Sequence, residues 1–165
     1  MSAETFTTAM FLITAVIAAG VLVNAVFPVV YNMAGTFSSA THESDERLRT
    51  DFKIVTYTAQ KSGTNANIWL KNIGSSRISM SDFTNRSDVF CGEVGKFQRL
   101  TWVSSNPTSG QWTNVNYDSN NNNYWDPGET IQVTAYTTIP PNNAVYFQFI
   151  LPSGVYRTVE FNPVD

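Results

Sequence analysis

The residues best suited to chemistry lie in one polar stretch, DSNNNNYWDPGE, between two predicted strands. Oxygen-bearing side chains occupy positions 1, 3, 5, 9 and 12 of this loop, and position 7 can offer its backbone carbonyl. The six candidate ligands are Asp118, Asn120, Asn122, Tyr124, Asp126 and Glu129. Hard oxygens at this spacing are the ligand set of an EF-hand calcium loop, in which the final Glu binds through both oxygens. We therefore expect a structural Ca²⁺ ion here.

Two features of this loop depart from the calcium-binding pattern. Position 6, where the sharp turn needs Gly, is Asn123, a residue that tolerates a left-handed backbone better than most. Only three of the five side-chain ligands are charged, which predicts moderate affinity, and no flanking helices are predicted. The alternative is an Asn-rich turn, followed by a second turn at Pro127 and Gly128.

The rest of the sequence contains no recognisable catalytic set. It has one cysteine, Cys91, and one histidine, His42, so neither an intramolecular disulfide nor a Cys/His zinc site can form. P-loop, nucleophile-elbow and HExxH motifs are absent. A net charge of -3 with 10 Lys and Arg gives no basic surface for nucleic acid. We expect a non-enzymatic protein with no catalytic cofactor and no nucleic-acid partner.

One modification motif is present in the predicted β-rich region. Asn85-Arg86-Ser87 is an N-glycosylation sequon, whereas Asn106 is followed by Pro107 and is excluded. A glycan on Asn85 would add a bulky, solubilising group to an exposed face. The alternative is a chance triplet, because such sequences are common.

The elements that must position these residues begin with a long apolar arm, residues 1–50. Its stretch Met10 to Tyr31 lies in a longer segment without any charged residue. These 22 residues would form a helix of roughly 33 Å, which is long enough to span a bilayer. Because apolar residues occupy every face, the helix requires lipid or other helices around it.

A bend is predicted within this helix. Pro28 cannot donate a hydrogen bond to the carbonyl of Asn24, so we expect a kink between these two residues. A secretory signal peptide is an alternative for the segment, but Glu4 replaces the usual basic residues and no convincing cleavage motif follows. A single-span membrane anchor is the stronger alternative.

The remainder, residues 51–165, predicts an antiparallel immunoglobulin-like β-sandwich, which makes the fold class α+β. Short runs of β-branched and aromatic residues alternate with Gly, Pro, Asn and Ser. The predicted strands are Phe52–Thr58, Asn67–Asn72, Arg77–Phe83, Val89–Gly92, Gln98–Ser104, Thr113–Tyr117, Thr130–Tyr136, Ala144–Leu151 and Val155–Phe161.

Four stretches together give the chain a recognisable plan. They are the apolar arm TFTTAMFLITAVIAAGVLVNAVFPVVY, then DERLRTDFKIV, IWLKNIGSS and WDPGETIQV. In this combination the chain resembles the archaellar proteins of archaea, which share a type IV pilin-like plan. The resemblance implies an archaellin, the repeating subunit of the filament used for swimming. A membrane-anchored, stator-like accessory protein and an adhesive type IV-like pilin are the alternatives.

The resemblance also implies partners and a location. An archaellin is held in the membrane before assembly and then forms a helical filament of identical subunits outside the cell. Archaellar motor and platform proteins would supply rotation and ATP use. Calcium and sugar would stiffen exposed loops of the outer domain.

Overall fold

A computed structural model describes residues 2–165, without the side chains of Ser2, His42, Glu43 and Glu46. The chain divides into a helical unit that ends at Ser44 and a sheet unit, Asp45–Asp165. The helix itself continues to Arg49, next to the predicted boundary at residue 50.

The first element is α1, Ser2–Arg49, a helix of 48 residues. Glu4 lies in its first turn, and Arg47 and Arg49 lie in its last, as the helix dipole favours. The hydroxyl groups of several residues donate to the backbone carbonyl four residues earlier, which hides their polarity inside the helix. These residues are Thr7, Thr8, Thr14, Thr36, Ser39 and Thr41.

Pro28 lies inside α1, and the helix is continuous on both sides of it. Proline has no N–H, so the carbonyl of Asn24 loses its usual partner within the helix. The bend between Asn24 and Pro28 stays a prediction.

The sheet unit contains ten strands and a short helix. In chain order these are β1 Phe52–Ala59, β2 Asn65–Asn72, β3 Ile78–Ser79, α2 Met80–Arg86, β4 Asp88–Glu93, β5 Lys96–Trp102, β6 Gln111–Asn116, β7 Tyr124–Trp125, β8 Thr130–Tyr136, β9 Val145–Ile150 and β10 Tyr156–Phe161. Eight strands form one sheet in the order β1-β2-β8-β6-β5-β4-β9-β10, and β3 pairs with β7.

Two antiparallel halves make up the large sheet. The parallel pair β5 and β6 joins them through only two residue pairs, Thr101 with Gln111 and Trp102 with Trp112. The other pairings in the sheet are antiparallel. The predicted α+β fold is confirmed: a long apolar helix is followed by an antiparallel-rich β-sheet.

Alternating apolar residues of both halves form the core. Strands β2 and β9 alternate in burial along their whole length, as a half-buried strand requires. At the centre, the Phe83 ring stacks on Phe149 at 5.0 Å between centroids and meets Trp125 edge-on at 5.3 Å. Offset-stacked and edge-on rings of this kind add stability beyond the area they bury.

The predicted strand Arg77–Phe83 is wrong, because β3 ends at Ser79 and α2 follows it. Ser79 caps α2: its Oγ accepts a hydrogen bond from the Asp82 amide and donates one to the Asp82 carboxylate. This reciprocal cap starts a helix and leaves Phe83 on the buried face. Strand β7 also differs from the prediction, because Tyr124 and Trp125 lie within the 118–129 loop, where no strand is expected.

Candidate functional site

The surface of α1 is apolar and exposed over most of its length. Every described side chain from Ala3 to Thr41 is exposed, and large ones such as Val16 and Phe37 are 72% and 76% exposed. This segment is long and apolar enough to cross a membrane. Monomeric soluble proteins rarely expose apolar patches of this size, so the helix requires partners outside its own chain.

A second feature, the Asn72 junction, lies where the end of α1 enters the sheet unit. We define it as Arg49, Asp51, residues 72–76 and residues 125–129. The Asn72 side chain is 1% exposed. Its Nδ2 donates to the carbonyls of Ser76 and Trp125, each at 3.0 Å, and its Oδ1 accepts from the Gly74 amide at 2.9 Å. A buried amide satisfied in this way fixes both segments.

The backbone of the same turn holds the helix end. The amides of Ser75 and Ser76 donate to the carbonyl of Arg49, which would otherwise be unsatisfied at the helix terminus. The amides of Ile73 and Gly74 donate to the carbonyl of Asp51. A Cβ at Gly74 would lie 2.4 Å from the Arg49 carbonyl oxygen, so only glycine fits this approach.

The third segment of the junction comes from the loop before β8. The Gly128 amide donates to the Asn72 carbonyl, and the Asn72 amide donates to the Glu129 carbonyl. The stretches RTDFKIV, KNIGSS and WDPGE, which carried the family resemblance, therefore meet at Asn72. Their role is to connect helix and sheet, which sequence reasoning did not identify.

Backbone hydrogen bonds fold the 118–129 loop around Asp118. Both carboxylate oxygens of Asp118 accept backbone amides, from Asn120 and Asn121 on one oxygen and from Asn123 on the other. Asn123 has φ of 63°, the left-handed conformation that Gly adopts at this position, as does Asn121 at 56°. Asparagine thus replaces the glycine of the motif without a change of conformation.

The two later carboxylates of the loop are held by hydrogen bonds. Asp126 Oδ2 accepts from Nδ2 of Asn120 at 2.9 Å and of Asn122 at 2.6 Å. These bonds, in that order, and then the charge of Arg77 hold the pKa of Asp126 below its usual range. Glu129 accepts from the Ser119 amide and hydroxyl through Oε1 and from the Asp126 amide through Oε2.

The loop offers oxygen atoms of the kind that bind calcium. Its acidic side chains, however, do not come together at one point. Oδ1 of Asn120 and of Asn122 each accept one backbone amide and keep a second lone pair for a cation. Among the side chains that the structure describes, however, no three from Asp, Glu, His or Cys converge on one point. Binding Ca²⁺ would require Asp126 and Glu129 to leave their present donors. Calcium at Asp118, Asn120, Asn122, Tyr124, Asp126 and Glu129 stays a prediction.

The remaining candidate residues lie elsewhere in the sheet unit. Asn85 is exposed on α2, whereas Ser87 of its sequon is 7% exposed. Glycosylation of Asn85 stays a prediction. The Cys91 thiol is fully buried in the core, and this burial raises its pKa to about 12. Its environment is that of a structural thiol rather than a reactive one.

The chain is similar to several known proteins and solved structures. An uncharacterised protein of Archaeoglobus fulgidus is 27% identical over 164 residues, covering 98% of this chain and 97% of its own. The archaeal flagellum of Methanospirillum hungatei superposes with a TM-score of 0.66 at 13% identity, over 97% of this chain and 93% of its subunit.

A periplasmic protein and a second flagellin share the sheet fold. The archaellum periplasmic stator protein FlaG of Sulfolobus acidocaldarius superposes with a TM-score of 0.53 at 24% identity, over 68% of this chain and 99% of its own. Flagellin FlaB1 of Methanocaldococcus jannaschii gives 0.56 at 12%, over 70% and 90%. The archaeal-type flagellin family model matches residues 6–161. The chain therefore belongs to the archaeal-type flagellin family.

Proposed function

We propose that the chain is a structural, non-enzymatic subunit of an archaellum filament and polymerises through α1. The observation that carries this proposal is the apolar surface of α1, which is exposed on all sides along Ala3–Thr41. In a bundle of identical helices this surface would be buried, with a gain of about 25 cal/mol for each Å² removed from water. In a bilayer before assembly, the helix satisfies its own backbone hydrogen bonds apart from those at its ends and at Pro28.

The coverage of the comparisons supports the filament role. The match to the Methanospirillum hungatei flagellum extends over 97% of this chain, so it includes the helix as well as the sheet unit. Contacts that repeat head-to-tail without closing a ring generate a helical polymer. The sheet units would then lie outside the cell along a filament used for swimming, with rotation supplied by archaellar motor and platform proteins.

A stator-like accessory protein is the second candidate, favoured by one observation. The identity to the Sulfolobus acidocaldarius stator protein is 24%, against 12% and 13% for the two flagellins. In that role α1 would stay in the membrane as an anchor, and the sheet unit would stand between the membrane and the surface layer.

Immunogold electron microscopy of intact cells separates the two roles. Antibodies raised against the sheet unit should decorate archaella at regular intervals along their length if the chain is the filament subunit. Labelling confined to the cell envelope, with bare filaments, would overturn the filament role and support the stator-like one. A strain that lacks this chain provides the control for antibody specificity.

We propose further that residues 118–129 bind a structural Ca²⁺ ion and that Asn85 carries a glycan. A rise in the melting temperature of the intact protein on adding Ca²⁺, lost in Glu129→Ala and retained in Glu160→Ala, would support the ion; no rise would exclude it. An intact mass above the sequence mass, removed by Asn85→Gln, would support the glycan.

A further inference from the structure

The sheet unit has a polar groove that the proposed filament role does not explain. It has a volume of about 610 Å³ and lies between α2, the end of β5, strand β6 and the start of the 118–129 loop. We call it the Trp102 groove. Its lining includes Asn85, Trp102, Asn114, Asn116, Asp118 and Asn121. The groove is broad and open to solvent.

A fixed indole lies in this groove. Trp102 is half-buried and packs against the core, and its Nε1 donates to Oδ1 of Asn114 at 2.9 Å. This hydrogen bond holds the orientation of the ring from the neighbouring strand β6. A fixed indole offers a large, rigid apolar surface with little loss of conformational entropy on binding.

Unpaired amide groups line the groove together with the indole. The Nδ2 of Asn114 and the side-chain amides of Asn85 and Asn121 have no hydrogen-bond partner among the described side chains and backbone. Asn116 also lines the groove, and its buried Oδ1 is without a partner. Each amide can both donate and accept, which matches the hydroxyl groups of a sugar.

The groove carries little net charge for an ionic ligand. Asp118 is the only charged residue among the described residues that line it. Both oxygens of Asp118 already accept backbone amides, from Asn120, Asn121 and Asn123. A cationic side chain to pair with a phosphate or carboxylate is absent from this described lining, so the ligand class is neutral and polar.

We propose that the Trp102 groove binds a neutral sugar residue, with the apolar face of the pyranose ring against the indole and its hydroxyl groups on the asparagine amides. The proposal holds for a filament subunit and for a stator-like protein alike. Two sources can supply the same chemistry. One is a glycan attached to Asn85, which lines the groove, and the other is a separate saccharide of the cell envelope.

The test uses the full chain made in a bacterial host without N-glycosylation and kept in a detergent that contains no sugar. Saturation-transfer NMR measures binding of glucose, galactose, mannose, N-acetylglucosamine and N-acetylgalactosamine. We expect saturable binding of at least one of them, and a loss of affinity of roughly tenfold in Trp102→Phe and in Asn121→Gly. Saturable binding of none of the five sugars would overturn the proposal.

The matched control uses a second asparagine with a left-handed backbone. Asn121 and Asn106 have φ of 56° and 50°, both are exposed, and only Asn121 lines the groove. Glycine keeps both backbones unstrained, so Asn121→Gly tests the amide alone even if Trp102→Phe lowers stability. Equal affinity in Asn121→Gly and Asn106→Gly would also overturn the proposal.

A second arm identifies the source of the sugar. The same chain is made in an archaeal host that N-glycosylates surface proteins. If the Asn85 glycan fills the groove, added free sugar will bind this material weakly, and Asn85→Gln will restore binding. If an envelope saccharide is the ligand, binding will be the same in both materials. Each result supports the groove and assigns its occupant.

Discussion

The helical unit exposes its apolar side chains, whereas the sheet unit buries many of its own. From Ala3 to Thr41 every described side chain of α1 is exposed, whereas twenty apolar residues of the sheet unit form a buried core. The sheet unit therefore obtains its stability from its own packing, and the helix depends on what surrounds it. The comparison shows that one part of the chain can fold on its own packing, whereas the other needs apolar surroundings from outside the chain.

The largest effect is expected from a charge placed on the helix. Val16→Asp puts a carboxylate on a surface that would be buried in the proposed filament, and an unpaired buried charge costs several kcal/mol. We expect complete loss of filaments by electron microscopy, with the sheet unit still folded by near-UV circular dichroism. Val16→Leu is the control and should assemble. Normal filaments from Val16→Asp would show that this face of the helix is not an assembly surface.

The buried thiol tests the packing of the sheet unit. Burial raises the pKa of Cys91 from its usual value of 9.0 to about 12, which lowers its thiolate population at neutral pH by about a thousandfold. Alkylation by iodoacetamide should therefore be negligible in the folded protein and complete in denaturant. Mass spectrometry measures the adduct. Rapid labelling of the native protein would mean that the core opens readily.

The Asn72 junction should contribute a large share of sheet-unit stability. Asn72→Ala removes three hydrogen bonds and leaves the carbonyls of Ser76 and Trp125 without these donors. We expect a loss of about 3 kcal/mol in the free energy of unfolding, measured with urea. Asn67→Ala, on the opposite, half-buried face of the same strand, is the control: it removes two side-chain hydrogen bonds, from Gln132 and Thr134, without leaving a buried backbone group unpaired, and should cost less. Equal losses would assign the effect to the strand rather than to the junction.

The smallest effect is expected from the titration of Asp126 at low pH. Because the pKa of Asp126 is lowered in the folded state, its charged form adds stability above the unfolded pKa, and that stability is lost as pH falls through the folded pKa. Asp126→Asn should therefore lower the melting temperature slightly at neutral pH, and the difference from the native chain should shrink below about pH 4. A difference that persists at low pH would exclude this titration as the cause.

The sequence predicts the elements whose patterns are periodic. The unbroken apolar run gives α1, and alternation gives strands such as β2 and β9. The stretch Arg77–Phe83 misled because its apolar residues suit a strand, while the short-range cap from Ser79 starts a helix. A serine three residues before an acidic residue was the available signal.

The sites are predicted only where their residues are close together in sequence. The 118–129 loop is contiguous, so its spacing could be read directly. The Asn72 junction and the Trp102 groove each combine segments that are far apart in the chain. No short sequence pattern can therefore show that these segments come together in space. The stretch KNIGSS carries part of the family resemblance, but its structural role depends on the carbonyls of Arg49 and Asp51, which lie at least twenty residues earlier in the chain.

The threonine hydroxyls of α1 affect what it would cost to move the helix from lipid into contact with other helices. Thr7, Thr8, Thr14 and Thr36 each donate to a carbonyl of their own helix and thus carry their partners with them. To a lipid tail or to a neighbouring helix, the surface presents much the same methyl groups. A helix of this kind can exchange lipid neighbours for protein neighbours without breaking a hydrogen bond of these side chains.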